Sequence, residues 1–201
     1  MSEYRQPKQS RAVSSEDAFL DTLASLLTEH SFYQLTVAMI TQHAGLSHGA
    51  FMGRFGSKRS AVSRLFARFC DDVDISLEQL VLSLNGDEKL ISVFSKASSV
   101  YEQLVRRHLG VNRAMQELFL SEKEIDEQTK AIFKKTVATF LDVYDALAIE
   151  RPDLPAMYSA VQVMVTYNYN YVIGAMPASP ADPKTRHTQI AQSMLGYLKK
   201  D

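Results

Sequence analysis

Residues 45–49 read Gly-Leu-Ser-His-Gly, and this spacing matches the G-x-S-x-G pattern with which serine hydrolases expose a nucleophilic serine. In those enzymes the serine, here Ser47, lies on a sharp turn between a strand and a helix of a parallel sheet. Apolar residues on both sides of this segment follow helical spacing instead. His43 and His48 lie five residues apart and do not form the HExxH motif of zinc proteases. We therefore predict that the protein is not an enzyme and holds neither a metal nor another cofactor.

A stretch without acidic residues extends from His30 to Cys70 and carries five cations in its second half. Residues 1–69 have a net charge of +3, whereas residues 70–201 have one of −4. Such a segregation favours a polyanion such as nucleic acid as partner. The alternative is that acids from elsewhere in the fold lie beside these cations, and charge alone does not decide between the two. The cations are Arg54, Lys58, Arg59, Arg64 and Arg68.

The composition is that of a globular protein, since 46% of the 201 residues are hydrophobic and 22% are charged. Cys70 is the only cysteine, which excludes an intramolecular disulfide and favours a reducing, cytoplasmic compartment. Residues 1–13 lack the apolar core of a secretory signal. The uncharged stretch 154–181 is interrupted by serine, glutamine, threonine and asparagine, so we predict a buried helix there and no membrane association.

Helical periodicity and capping residues predict an all-α fold of about nine helices. A capping box at residues 14–17 begins a helix over about 15–30, and Thr36 can cap a second helix that ends near residue 44. The alternation of apolar residues around Val37 leaves a short strand open locally. Gly45 stops the second helix and Ser47 caps a third, very short one. Further helices are predicted at about 57–84, 88–109, 111–120, 122–150, 155–176 and 183–199, and Gly110 separates two of them.

The second and third helices, at 36–44 and 47–54, have the helix-turn-helix arrangement, in which the second member enters a DNA major groove. The residues Thr36-Val37, Ile40, Ala44-Gly45-Leu46-Ser47, Gly49, Phe51, Phe55 and Ser57-Lys58 form a pattern over both helices and the next cap. This pattern resembles the signature of the TetR family of transcriptional regulators, over about residues 15–65.

The resemblance implies two domains. Residues 1–56 would form a three-helix helix-turn-helix DNA-binding domain with an N-terminal arm at 1–13, and residues 57–201 would form a helical domain for ligand binding and dimerisation. It also implies a cytoplasmic homodimer that binds a palindromic double-stranded DNA operator. Repression, relieved by a small-molecule inducer, is the usual mode of this family.

Carried over position by position, the resemblance implies that Thr36 and Lys58 touch phosphates while Leu46, Phe51 and Phe55 fill a small core. Arg54 is the best candidate for a base contact, because a guanidinium can donate two hydrogen bonds to guanine. Lys58 lies in the first turn of a helix, where the macrodipole disfavours a cation unless a phosphate is near. The family usually has tyrosine at the position of Met52 and a larger residue than Gly53. The implied DNA-binding set is Thr36, Ser47, His48, Gly49, Ala50, Met52, Arg54 and Lys58.

Aromatic residues and methionines in the second half could line a ligand cavity, although such stripes usually belong to the core. The uncharged helix at 155–176, together with the helix at 183–199, is the predicted dimer interface. The predicted ligand-binding residues are Phe119, Phe140, Tyr144, Met164, Tyr167 and Tyr171.

A rival function is a helix-turn-helix-like protein that acts through protein–protein interaction without specific DNA readout. Met52 and Gly53 are the residues that favour it. The affinity of a DNA-binding protein for DNA falls steeply as the salt concentration rises. The rival function predicts no such salt-dependent binding to DNA.

Overall fold

A computed structural model describes residues 7–118, 123–176 and 179–198, and in these ranges the protein consists of nine α-helices without a strand. The predicted all-α class is thereby confirmed. The helices are α1 (Pro7–Glu29), α2 (Val37–Ala44), α3 (His48–Phe55), α4 (Lys58–Leu82), α5 (Leu90–Arg107), α6 (Leu109–Leu118), α7 (Lys123–Ala146), α8 (Leu154–Val172) and α9 (Pro183–Leu198).

The start of α1 differs from the prediction, because the helix begins at Pro7 and not near residue 15. Proline is well tolerated in the first turn of a helix, where its missing N–H has no partner in any case. No helix-breaking residue separates Pro7 from the capping-box sequence at residues 14–17. Residues 7–13 of the predicted arm are therefore helical.

The chain divides into two compact units. One comprises Met1–Arg68 and His108–Asp126, and the other comprises Phe69–Arg107 and Glu127–Asp201. These units are defined by packing within the chain, whereas the predicted domains 1–56 and 57–201 are defined by function and stay a prediction.

Aromatic side chains form the centre of the first unit. Phe51 of α3 is completely buried, as predicted, and its ring meets that of Phe19 edge to face at 5.3 Å between centroids. Phe55 follows on the same side of α3, with its ring 5.0 Å from that of Phe51. Leu20 and Leu23 of α1 are also fully buried. Helix α3 is thus fixed to α1 by its apolar side, and its other side faces solvent.

Gly110 corrects one sequence inference, since it lies within α6 and does not separate two helices. The break comes at residue 108, before α6 begins. A Cβ added to Gly110 would lie 2.6 Å from the carbonyl oxygen of Ala24 and 2.9 Å from Cβ of Leu27. The absent side chain therefore lets α6 approach the backbone of α1 within the first unit.

The second unit has an apolar core with a polar cluster inside it. Phe94 of α5 packs against Phe140 of α7 at 5.2 Å between ring centroids, and Met157 and Met164 of α8 are fully buried. Helix α9 contributes Ile190 to this core, with 1% of its surface exposed. Among the helices in the described ranges, none combines the length and the apolar character needed to cross a membrane.

Candidate nucleic-acid interface

The turn between α2 and α3 has the conformation that the sequence predicts. Gly45 ends α2 in the left-handed region with φ of 65°, and its N–H donates to the carbonyl of Gln42. Thr36 caps the start of α2, where its Oγ1 accepts from the N–H of Met39 at 3.1 Å. Ser47 caps α3 in the same way, accepting from Ala50 at 3.1 Å. Both capping hydroxyls keep a hydrogen to donate to another group.

Ser47 has none of the surroundings of a hydrolase nucleophile. It follows a helix and not a strand, and the described residues contain no strand at all. In the same ranges no group of three or more histidine, cysteine, aspartate or glutamate side chains is placed to hold a metal ion. The segment is a helix-turn-helix.

The exposed side of α3 is short of functional groups. Gly49 and Gly53 are separated by one turn and lie two residues either side of buried Phe51, so they occupy the outermost ridge of the helix. Ala50 flanks this ridge on one side, and Met52, 40% exposed, flanks it on the other. The structure therefore places the predicted contact residues 48–50 and 52 together on one solvent-facing surface.

Arg54 is directed toward α1. Its guanidinium Nη1 lies 3.4 Å from Oε2 of Glu16, and Oε1 of the same carboxylate accepts from Nε of Arg64 at 2.9 Å. One carboxylate therefore pairs with a cation from α3 and with another from α4. Glu16 side-chain exposure is 20% and that of Arg54 is 33%, so water only partly screens the contact.

Arg68 also has acidic partners on α1. Its guanidinium donates to the carboxylates of Asp17 and Asp21. Three of the five cations in the acid-free window, Arg54, Arg64 and Arg68, thus lie beside acids that precede them by 38 to 51 residues. For these three, the structure favours the alternative that acids from elsewhere in the fold lie beside the cations.

Lys58 is occupied within the chain as well. Its Nζ donates to the backbone carbonyls of Phe32 at 2.6 Å and Leu35 at 2.5 Å, and it lies 4.1 Å from the centroid of the Phe32 ring. Burial and the charge of Arg59 lower the pKa of Lys58 below its ordinary value, against the opposing effect of Glu117. Lys58 therefore anchors the segment that leads into α2, and one of its three N–H groups remains for a phosphate.

Glu16 and Glu117 are the residues of this region that sequence reasoning missed. The Glu117 carboxylate of α6 accepts from the N–H of Phe32 at 2.9 Å, so it fixes the same segment as Lys58. Neither contact leaves a local signal, because the partners lie 85 residues apart for Glu117 and 38 for Glu16. The only available signal was the absence of acids from the window, which requires counter-charges somewhere else.

The predicted ligand-binding residues fall into two groups, and Phe119 lies outside the described residues. Phe140, Tyr144 and Met164 are at least 95% buried, with the first two rings beside Phe94. Tyr167 faces the segment between α8 and α9, and Tyr171 faces α9. The hydroxyl of Tyr167 lies 3.3 Å from Oγ of Ser179, and the guanidinium of Arg186 lies 3.7 Å from the centroid of the Tyr171 ring. Their role in ligand binding stays a prediction.

The polar cluster beside Tyr171 centres on a buried ion pair. Arg186 is 1% exposed, and its Nη2 and Nε donate to Glu102 at 2.7 and 3.1 Å. Burial alone raises the pKa of Glu102, but hydrogen bonds from Arg186 and Arg106 outweigh it and hold that pKa below its ordinary value. His187 lies beside the same carboxylate, with its Nε2 3.4 Å from Oε2 of Glu102, and its Nδ1 lies 3.0 Å from Oγ of Ser98. Burial lowers the pKa of His187 despite the nearby Glu102.

A surface cleft of about 580 Å³ opens between α5 and α9 within the second unit. Ser92, Ser95, Lys96, Lys184 and His187 are among its lining residues. Phe140, Tyr144, Met164, Tyr167 and Tyr171, the predicted ligand-binding residues that the structure describes, do not line it.

Comparison with known proteins agrees with this geometry. Residues 19–64 match the family described as bacterial regulatory proteins, tetR family. No curated protein sequence matches the chain well enough to count as a relative.

Several solved structures share the fold. A tetR-family transcriptional regulator from Streptomyces coelicolor has a TM-score of 0.73 at 12% identity, over 92% of this chain and 80% of that one. The fatty acid degradation regulator FadR from Bacillus halodurans has a TM-score of 0.72 at 14% identity, over 99% of this chain and 100% of that one. The TetR family regulator PfmR from Thermus thermophilus has a TM-score of 0.66 at 14% identity, over 90% of this chain and 99% of that one. At these identities the likeness concerns the fold.

Proposed function

We propose that the chain, whose residues 19–64 match the tetR family of bacterial regulatory proteins, is a DNA-binding transcriptional regulator, specifically a ligand-responsive repressor that binds a palindromic operator as a homodimer. The observation that supports this most is the helix-turn-helix itself. Caps at Thr36 and Ser47 define its two helices, and the burial of Phe51 turns the opposite side of α3 outward. A major groove about 12 Å wide accepts such a helix.

DNA contacts are proposed for the residues that surround this outward side. The Thr36 and Ser47 hydroxyls lie at helix N-termini, where backbone N–H groups and the helix dipole attract phosphate. His48, Gly49, Ala50 and Met52 would face the base edges. Lys58 would add a phosphate contact through its remaining N–H group, and Arg54 can contribute only after leaving Glu16.

A second copy of the chain is the proposed partner of α8 and α9. Helix α8 has no charged residue between Leu154 and Val172, yet only five of its side chains are buried within the chain. Tyr197 of α9 is 54% exposed. Charged residues are depleted from the centre of protein interfaces, so an uncharged helix that its own chain covers only in part is typical of an interface, and a symmetric dimer supplies the second surface. A dimer would also present two α3 helices to half-sites separated by about 34–36 Å.

An inducer would act by binding one arrangement of this dimer more tightly than the other, because a ligand shifts an equilibrium only by its differential affinity. Phe119, Phe140, Tyr144, Met164, Tyr167 and Tyr171 remain the proposed ligand residues. Tyr167 and Tyr171 are the two with polar or charged neighbours that a ligand could displace.

Binding to duplex DNA tests the proposed function and separates it from the protein-interaction alternative. We expect the protein to bind a labelled duplex of random sequence with a salt-dependent affinity. We expect Ala50→Glu to weaken this binding by about tenfold or more, because a carboxylate would then enter a groove whose phosphates repel it. Gln103→Glu, an exposed position on α5, introduces the same charge on the other compact unit and serves as the control. Equal binding by both variants and the parent would refute the use of α3 and favour the alternative.

A further inference from the structure

The outward side of α3 has little capacity for hydrogen bonds to bases. Between the cap Ser47 and Arg54, His48 is the one hydrogen-bonding side chain in the sequence, and the other residues are glycine, alanine, phenylalanine and methionine. Recognition helices contact bases mainly through their N-terminal residues. The readout by this helix must therefore rest largely on apolar contact.

Arg54 does not supply the missing donor. It lies in the last turn of α3, and its guanidinium pairs with Glu16 of α1. Recognition of guanine requires a bidentate donor directed at O6 and N7 in the groove. The free protein instead directs this guanidinium back toward α1.

Met52 is the longest side chain on the outward side, and it is 40% exposed although its thioether chain has no polar group that gains from water. Ala50 adds a methyl group across the ridge, and both residues are exposed. Thymine is the only base that presents a methyl group in the major groove, and apolar side chains are its matching contact.

Gly49 and Gly53 shape the surface between these two residues. A Cβ added to either would meet no atom within 4 Å, so packing within the chain does not require glycine there. Glycine destabilises the interior of a helix, so these two residues lower the stability of the protein although its packing does not require them. A bare backbone ridge lets the helix lie deeper in a groove and brings the Met52 and Ala50 side chains to the base edges.

We infer that α3 reads thymine methyl groups, through Met52 and Ala50, and that the operator half-site is rich in A·T pairs where the helix lies. This inference rests on the proposed DNA-binding function and specifies the operator class that it recognises. Guanine recognition by Arg54 has no part in it while the Glu16 pair is intact.

The test uses the duplex that this protein enriches from random sequence. Each thymine of the half-site is replaced by deoxyuridine, which lacks only the methyl group, and binding is measured with the parent, Met52→Leu and Met52→Ala. We expect a loss of about fourfold for each contacted methyl, the value for burying one such group. Met52→Leu keeps a large apolar side chain, so deoxyuridine should still weaken binding in this variant. In Met52→Ala, deoxyuridine should no longer weaken binding at the one position whose methyl group Met52 contacts.

Two results would overturn the inference. An enriched palindrome that binds equally well with deoxyuridine, or one whose essential base is a guanine read through Arg54, would leave the proposed function intact and refute thymine recognition. Failure to enrich any sequence, with no salt-dependent binding, would refute both together.

Discussion

Glu16→Gln is expected to tighten DNA binding, because the Glu16 carboxylate competes with phosphate for two arginines. It lies 3.4 Å from Arg54 and 2.9 Å from Arg64, and both must leave it before they can contact DNA. Partly exposed ion pairs of this kind contribute about 0.2–1 kcal/mol. Removal of the carboxylate removes this cost from binding, so the affinity for duplex DNA should rise by up to about fivefold for each arginine that DNA engages.

The assay is fluorescence anisotropy of a labelled duplex at salt concentrations from about 50 to 200 mM. Each arginine released onto a phosphate should steepen the slope of log K against log salt by about 0.9. Asp145→Asn is the matched control, because it removes one negative charge beside Arg151 in the other compact unit. An unchanged slope with Glu16→Gln, or an equal gain with Asp145→Asn, would refute release of the arginines as the cause.

Three further predictions concern stability and are checked by thermal or urea unfolding. Gly110→Ala should destabilise the protein by about 1–3 kcal/mol, because the added Cβ clashes with α1. Gly53→Ala should stabilise it by about 0.5–1 kcal/mol, because the added Cβ meets no neighbour. Equal effects of the two substitutions would contradict the packing assigned to Gly110. Glu102→Gln should cost about 3–5 kcal/mol, because it leaves Arg186 buried without its carboxylate, and an unchanged midpoint would contradict that pairing. Because the pKa of His187 is lowered in the folded chain, its imidazole takes up a proton more readily in the unfolded chain. The free energy of unfolding should therefore fall as the pH drops below about 6.5. This fall should be absent in His187→Gln.

Local signals in the sequence were sufficient for the helix-turn-helix. Gly45 and Ser47 act within one turn of their own backbone, so residue type alone predicts the stop of α2 and the cap of α3. The start of α1 was wrong by about eight residues, because a capping-box sequence has the same letters when it lies inside a longer helix. Residue type therefore located α2 and α3 but not every helix end.

Contacts between distant residues were not accessible from the sequence. Gly110 looks like a helix break, and only the approach of α6 to α1 shows why a side chain is excluded. Arg54 looks like a guanine-reading residue until Glu16, 38 residues away, is seen beside it. Charge pairing between distant residues depends on which helices become neighbours. The amphipathic pattern of one helix does not show which other helix packs against it.

The proposed function requires a dimer of this protein to bind a palindrome through α3. Selection of random duplex DNA by the purified protein, followed by sequencing, tests it most directly. We expect an enriched inverted repeat whose half-sites are centred about one helical turn, or a multiple of it, apart, and the enrichment should disappear with Ala50→Glu. Enrichment of no sequence, or of one that Ala50→Glu still selects, would contradict it.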